Sequence, residues 1–251
     1  MEFVPILPAV VLGAISQRIT GMGFALVVAP FLLLGYGPMT AVIVVNICGA
    51  LGAIAVWTRT GRDIEWRRYA WLVPPALIGI VPGTLMLVIP PRSVVEITIG
   101  VVLLVALTTA LLLRRTGRSW DGPGQRLTAG FASGFMNSAV GAGAPAVTAY
   151  AVLSGWAQRS FAATMQPYLI TIAAGSIISK SVIAPQAWPD IPGWMWVALV
   201  AALVVGLIAG DFAARVVPAG TARTIVVVIA YVGATGALIK GIATAVQSVG
   251  S

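Results

Sequence analysis

Long apolar runs separated by short polar stretches form the main pattern of this chain. At about 20 residues per membrane span, eight apolar segments are predicted to be helical. The tryptophans lie at or near the segment ends, where amphipathic rings meet the membrane surface. The pattern therefore predicts an all-α integral membrane protein. The segments cover about 4–34, 38–58, 69–89, 94–113, 127–153, 160–184, 193–214 and 222–246.

Polar residues and glycines interrupt the first and fifth apolar segments near their midpoints. The first interruption reads Ser-Gln-Arg-Ile-Thr-Gly-Met-Gly over residues 16–23, and the second reads Asn-Ser-Ala-Val-Gly-Ala-Gly over residues 137–143. A helix broken there exposes backbone N–H groups, and a half-helix that begins there favours an anion. We predict that both glycine pairs line a substrate site, with tight helix packing as the alternative. These glycines are Gly21, Gly23, Gly141 and Gly143.

Arg18 is the charged residue of the first interruption. A free charge at bilayer depth costs roughly 2.5–3.5 kcal/mol on insertion scales, so Arg18 is expected to face protein, water or a ligand. Its guanidinium fork suits carboxylate, sulfonate or phosphate oxygens. We predict that Arg18 contacts the substrate or its pathway. The alternative is that it extends to the interface or pairs with Glu96 or Asp211.

Four amide side chains occupy apolar surroundings at matching positions. A shift of 120 positions pairs Gln17 with Asn137 and Asn46 with Gln166. A lone intramembrane amide usually forms an interhelical hydrogen bond worth about 1 kcal/mol, whereas amides at repeat-related positions suit a site on a pseudo-twofold axis. Both interpretations stay open, and all four amides are candidate substrate ligands.

The two halves of the chain resemble each other. The polar stretch 114–126 is predicted to link a first transmembrane repeat, 1–113, to a second, 127–251. The 120-residue shift aligns the two interruptions, and internal repeats of this kind are typical of transporters. A shift of 127 aligns two further glycine pairs in small-xxx-small spacing, which predicts close helix packing. These glycines are Gly79 and Gly83, matched by Gly206 and Gly210.

Two topologies compete for the placement of the basic residues. If all eight segments cross, the halves are parallel, and the Arg and Lys residues other than Arg18 divide 10 to 4 between the two sides. If the first and fifth segments turn back at their glycines, the second half is inverted and the division becomes 11 to 3. Because both interruptions lie near segment midpoints, we favour inversion. Lys180 and Lys240, near segment ends, are predicted to extend toward the interface.

Composition supports the membrane assignment and excludes several functions. Of 251 residues, 59% are hydrophobic and 9% are charged, against about 25% charged in soluble domains. The net charge of +8 fits basic loops on the positive side of a membrane, so no nucleic-acid partner is expected. The absence of histidine excludes Ser-His catalysis and His-ligated metals. With Cys48 as the single cysteine, no enzyme activity, cofactor or metal is predicted.

The glycine motifs resemble those of the TauE/SafE family of sulfite exporters, also called the 4-toluene sulfonate uptake permease family. The resemblance rests on Gly-Ala-Ile-Ser-Gln-Arg-Ile-Thr-Gly-Met-Gly-Phe-Ala over residues 13–25, followed by Pro30. It is repeated loosely as Gly-Phe-Ala-Ser-Gly over 130–134, followed by Gly141 and Gly143. It covers essentially the whole chain. Ser138 stands where Arg18 would be matched, so the second copy lacks the cation.

Membership of this family implies a multi-pass transporter of the bacterial cytoplasmic (inner) membrane that carries sulfite, sulfoacetate or other sulfonates. The resemblance implies roles only for the two glycine interruptions and their adjoining polar residues. From the residues themselves we expect an anion near the membrane midplane between the repeats. The alternatives are a passive anion channel and a transporter of small carboxylates. Small-xxx-small faces also leave a homodimer open.

Overall fold

The computed structural model describes residues 6–20, 23–112, 121–216 and 219–249. Every regular element within these ranges is helical, as the apolar segments predict. Short 3-10 turns over Gly61–Asp63 and Pro185–Ala187 connect two pairs of helices. The α-helices of the described residues are α1 (Ile6–Thr20), α2 (Phe24–Tyr36), α3 (Pro38–Thr60), α4 (Trp66–Val88), α5 (Arg92–Leu112), α6 (Pro123–Val140), α7 (Ala144–Leu153), α8 (Gln158–Ile183), α9 (Gly193–Val216) and α10 (Ala219–Val249).

Four of the described helices are long and apolar enough to cross a membrane. They correspond to the second, third, sixth and seventh predicted segments. Helices α5 and α10 correspond to the fourth and eighth predicted segments. The prediction of an all-α integral membrane protein is confirmed. The predicted linker 114–126 lies mostly outside the described residues. The four spans are Pro38–Thr58, Trp66–Val88, Gln158–Ile183 and Gly193–Arg215.

The first and fifth apolar segments each form two helices that run back alongside each other. In the first hairpin, α1–α2, Ile6 near the start and Tyr36 at the end line the same small cavity. In the second hairpin, α6–α7, Tyr150 near the end donates a hydrogen bond to Asp121 just before the start, at 2.7 Å. Each hairpin therefore has an open end, where its two termini meet, and a tip, where the chain reverses.

The open ends of the two hairpins lie at opposite ends of the molecule. Helix α3 begins directly after the first hairpin and extends for 23 residues, which is about 34 Å at 1.5 Å per residue. After α3 and a short turn, Arg68 in the first turn of α4 contacts Ser154 at the end of the second hairpin (3.5 Å). The length of α3 thus separates the two open ends, and the tips approach each other in between.

Each hairpin packs on a helix of the other half of the chain. Helix α1 packs against α9, and α6 packs against α4. A Cβ at Gly210 would lie 2.7 Å from Arg18 Cβ, and one at Gly83 would lie 3.0 Å from Ser138 Cβ. The predicted close packing at these glycines is confirmed, and it is used within the chain, so it supplies no argument for a dimer. Gly79 and Gly206, one turn earlier, approach the backbone of the same partner helices.

Candidate functional site

The hairpin tips are formed by the glycine interruptions. Helix α6 ends at Val140, and Gly141 follows with φ of 76°, a left-handed conformation that favours glycine. A Cβ on Gly143 would lie 2.6 Å from the Ser133 carbonyl oxygen, so the tip also needs a glycine for close approach. In the first hairpin Gly23 precedes α2, whereas Gly21 lies outside the described residues.

A cavity of about 40 Å³ lies between the two tips. It is lined by both hairpins and by α3 and α8, so it joins the two halves of the chain. Five of the residues predicted from the sequence line it, namely Gln17, Asn46, Asn137, Gly141 and Gly143. Its other lining residues are mostly small or apolar, namely Phe24, Ala25, Val45, Gly49, Ala50, Ala144, Leu169 and Ala173.

Asn46 and Asn137 form a direct contact between the two halves in the wall of this cavity. Asn137 Nδ2 donates to Asn46 Oδ1 at 2.7 Å and to the Ile172 carbonyl at 3.2 Å. Asn46 Nδ2 donates to the Val42 carbonyl of its own helix at 2.8 Å. Both amides are buried. The interhelical hydrogen bond, which was one of the two interpretations of the sequence, is present, and both amides also line the cavity, while contact with a substrate stays a prediction.

The two glutamines are both buried but lie in different places. Gln17 lines the cavity, where its Nε2 makes a long hydrogen bond to the Gly49 carbonyl (3.5 Å). Its Oε1 is buried without a hydrogen-bond partner. Gln166 donates to the Ala162 carbonyl at 2.8 Å, and it is not among the residues that line the cavity. Gln166 Oε1 is also buried without a hydrogen-bond partner. Gln17 differs in facing the cavity, where its Nε2 carries a second N–H that could donate to an anion.

The electrostatics of the cavity come from backbone dipoles, because no charged side chain lines it. Phe24 and Ala25 open α2, and Ala144 opens α7. The first N–H groups of a helix have no intrahelical acceptor, and neither helix has a side-chain cap. Two positive helix ends therefore face one small space, which favours an anion.

Arg18 lies next to this site but is occupied by another partner. Its Nε donates to Oδ1 of Asp211 on α9 in an ion pair. The two side chains are 29% and 30% exposed. Arg18 is not among the residues that line the cavity, and the pairing with Asp211 was one of the alternatives derived from the sequence.

Lys180 is buried, so the prediction that it extends toward the interface is wrong. It is 1% exposed, and its Nζ lies 2.8 Å from Ser138 Oγ and from Ser176 Oγ. Thr84 joins the same cluster through Ser138 at 2.7 Å. One feature of the sequence could have predicted this cluster: Ser176 and Lys180 are one helical turn apart, so their side chains share a face of α8.

The comparison with protein families supplies the assignment of the chain. Curated proteins and solved structures give no match. The family model for the sulfite exporter TauE/SafE matches residues 6–236, which include both hairpins, the cavity and every spanning helix. The chain therefore belongs to the TauE/SafE sulfite exporter family and is a multi-pass membrane transporter of that type.

Proposed function

We propose that this protein is a secondary transporter that holds one small sulfur oxyanion in the cavity between the hairpin tips. The observation that carries the proposal is the convergence of two uncapped helix N-termini on one uncharged cavity. Backbone N–H groups of α2 and α7 and the amide of Gln17 would bind the anion oxygens. The amides of Asn46 and Asn137 would hold the walls together.

The size of the cavity favours a small substrate. A single water needs roughly 10–15 Å³ of comparable space, and the cavity offers about 40 Å³. That room suits a compact ion such as sulfite, which has four non-hydrogen atoms. An aromatic sulfonate would require the tips to separate. Within the family's range of sulfur anions we therefore propose sulfite, or a sulfonate with a very short chain, as the substrate.

The arrangement of the hairpins supports a duplicated, inverted transporter. The hairpins open toward opposite ends, and each packs on a helix of the other half, as expected for inverted repeats around a central site. With this arrangement the 11 to 3 division of basic residues places the start of α4 in the cytoplasm. We propose alternating access by movement of one hairpin and its partner helix against the rest, in the bacterial cytoplasmic membrane.

For Arg18 we propose a role on the substrate pathway. Its ion pair with Asp211 lies beside the first tip and joins α1 to α9. An approaching anion would compete with Asp211 for the guanidinium, since both offer oxygen acceptors. Arg18→Ala is then expected to slow transport while leaving anion binding in the cavity within about threefold of the wild-type affinity.

The proposal is tested by thermal stabilisation of the purified protein with a panel of anions. Binding to the folded state stabilises it by RT ln(1 + [L]/Kd). We expect sulfite to stabilise the wild-type protein more than acetate or phosphate does. Gln17→Leu should weaken sulfite binding about tenfold or more, because a hydrogen bond to a charged group contributes roughly 1.5–3 kcal/mol.

Gln166→Leu is the matched comparison, since it removes an equally buried amide away from the cavity. We expect this variant to keep wild-type affinity for sulfite. Equal losses in both variants would remove the cavity as the binding site, and preference for acetate would favour a carboxylate transporter. Uphill accumulation of sulfite in proteoliposomes would separate a transporter from a passive channel.

A further inference from the structure

The Lys180 cluster buries an amino group without an acidic partner among the described residues. Its Nζ lies 2.8 Å from the Ser138 carbonyl, from Ser138 Oγ and from Ser176 Oγ. Within the described residues, no carboxylate forms an ion pair with Lys180. A buried ammonium is costly unless a negative charge compensates it, so burial without a carboxylate favours the neutral amine unless an anion lies nearby.

The cluster adjoins the cavity on two sides. Asn137 and Ala173 line the cavity. Ser138 directly follows Asn137, and Ser176 lies three residues after Ala173. Because Lys180 reaches back to Ser176, its ammonium lies about 4.5 Å along the axis of α8 from the level of Ala173. An anion in the cavity would therefore place a negative charge close to this cluster.

The two halves of the chain have different side chains at the positions that match Arg18 and Asp211. Ser138 occupies the position that matches Arg18 in the first half, and Thr84 matches Asp211. Arg18 and Asp211 form an ion pair, whereas Ser138 and Thr84 form a hydroxyl pair at 2.7 Å. Arg18 beside the first tip is thus neutralised by a carboxylate of the protein, whereas no described carboxylate pairs with Lys180 beside the second tip.

We propose that Lys180 binds a proton together with the substrate anion and releases it when the cavity empties, so that anion movement is coupled to protons. This inference rests on the proposed function. Two partners of the lysine are hydroxyls, which can donate as well as accept. The same cluster can therefore hydrogen-bond the ammonium when the anion is bound and the neutral amine when the anion is absent.

The other titratable groups around α8 do not supply the missing charge. Asp63 and Glu65 contact Arg159 and Ser160 in the first turn of α8, far from Lys180 near its end. No hydrogen bond or ion pair joins Lys180 to any described charged or titratable side chain of α8 or of the elements packed against it. These side chains are Cys48, Arg62, Asp63, Glu65, Arg67, Arg68, Tyr69, Arg126, Tyr150, Arg159 and Tyr168.

Proton uptake on sulfite binding tests this inference. The affinity and the number of protons exchanged are measured by titration calorimetry across a pH series, in two buffers with different ionisation enthalpies. The wild-type protein should take up more protons than Lys180→Arg, whose cation stays charged. The extra uptake should be largest at a pH between the titration of the amine in the empty protein and its titration in the occupied protein, and it should fall on either side. Sulfite titrates identically in every sample, so the difference between proteins isolates Lys180. Lys180→Met should bind sulfite at least tenfold more weakly.

Lys240→Met is the matched control. It removes a partly exposed lysine that lies 3.9 Å from Glu96, and it should leave proton uptake unchanged. If the wild-type protein does not bind sulfite at any pH, the proposed function fails and this inference falls with it. If sulfite binds but the proton count is the same in Lys180→Arg and the wild type, only this inference fails. The unfolding temperature of each variant, measured without sulfite, separates loss of binding from loss of fold.

Discussion

Asp121 holds the open end of the second hairpin together. It accepts hydrogen bonds from Arg126 Nε and Nη2, each at 3.0 Å, and from the Tyr150 hydroxyl at 2.7 Å. Arg68 adds an ion pair at 3.5 Å. The hydrogen bonds from Arg126, together with those from Tyr150 and the nearby positive charges, lower the pKa of Asp121 below its usual value. One carboxylate outside the spans thus joins α6, α7 and α4.

Replacing Asp121 with Asn should destabilise the protein by about 1–2 kcal/mol at neutral pH, because the hydrogen bonds to a charged acceptor are lost. Since the pKa is lower in the folded state, the stabilisation is fully present above the unfolded value of about 3.9. It is lost as the pH falls through the folded pKa. Unfolding measured between pH 3 and pH 8 should therefore show the wild type and Asp121→Asn converging at the acid end.

Asp63→Asn is the control for this pH dependence. Asp63 pairs with Arg159, whose side chain is 85% exposed, and exposed pairs contribute at most about 1 kcal/mol. A small effect on the free energy of unfolding is expected. A difference between wild type and Asp121→Asn that persists undiminished at pH 3 would contradict the assigned role.

At the scale of elements, the close packing of α6 on α4 depends on glycines, which have no side chain at the contact. A Cβ on Gly134 would clash with the carbonyl oxygen of Ala76, whereas one on Gly124, in the first turn of the same helix, would meet nothing within 4 Å. Ala has a helix propensity about 1 kcal/mol better than Gly, but overpacking a tight contact costs typically 1–3 kcal/mol and more where backbone is involved.

Gly134→Ala should therefore lower the unfolding temperature, and Gly124→Ala should leave it unchanged or raise it slightly. The comparison uses the same substitution in one helix, so composition and propensity are matched. Thermal unfolding in detergent measures both variants. Equal stability of the two would show that α4 and α6 do not approach as closely as described.

The elements were more predictable than the contacts between them. Apolar runs of span length predicted α3, α4, α8 and α9, because hydrocarbon imposes both the length and the composition of a crossing helix. The glycine interruptions predicted the two tips, because unwound backbone in hydrocarbon must find hydrogen-bond partners within the protein. Nothing in the sequence pattern fixed whether the segments would turn back, because each half-helix alone is short and equally apolar.

The site shows where local reasoning ends. Gln17, Asn46 and Asn137 were predicted as ligands because amides at repeat-related positions of apolar segments are rare, and they line the cavity. Gln166, predicted in the same way as the partner of Asn46, does not line it. Arg18 forms its ion pair with Asp211, which is 193 residues away in sequence. The pattern of residues along the chain does not determine which acidic residue pairs with Arg18. Lys180 was missed because its position near a helix end suits snorkelling equally well, until helix packing buries it.

At the scale of the whole molecule, the hairpins determine on which side each loop lies. Arg62 follows α3, and Arg159 follows the second hairpin. They belong to the same end of the molecule, because Arg159 pairs with Asp63 at 2.8 Å. If all eight segments crossed, these two arginines would lie on opposite sides of the membrane. Their relative position therefore distinguishes an inverted from a parallel duplication.

Single-cysteine labelling measures that position. Cys48 is buried and would be replaced by Ala, and Cys would then be introduced at Arg62, Arg159 or Gln186. If the basic end faces the cytoplasm, as we propose, an impermeant maleimide applied to intact cells should label only Gln186→Cys. Permeabilised cells should add label at the other two positions. Label at Arg159→Cys but not at Arg62→Cys in intact cells would exclude re-entrant hairpins. The site between their tips would then lose its geometric basis.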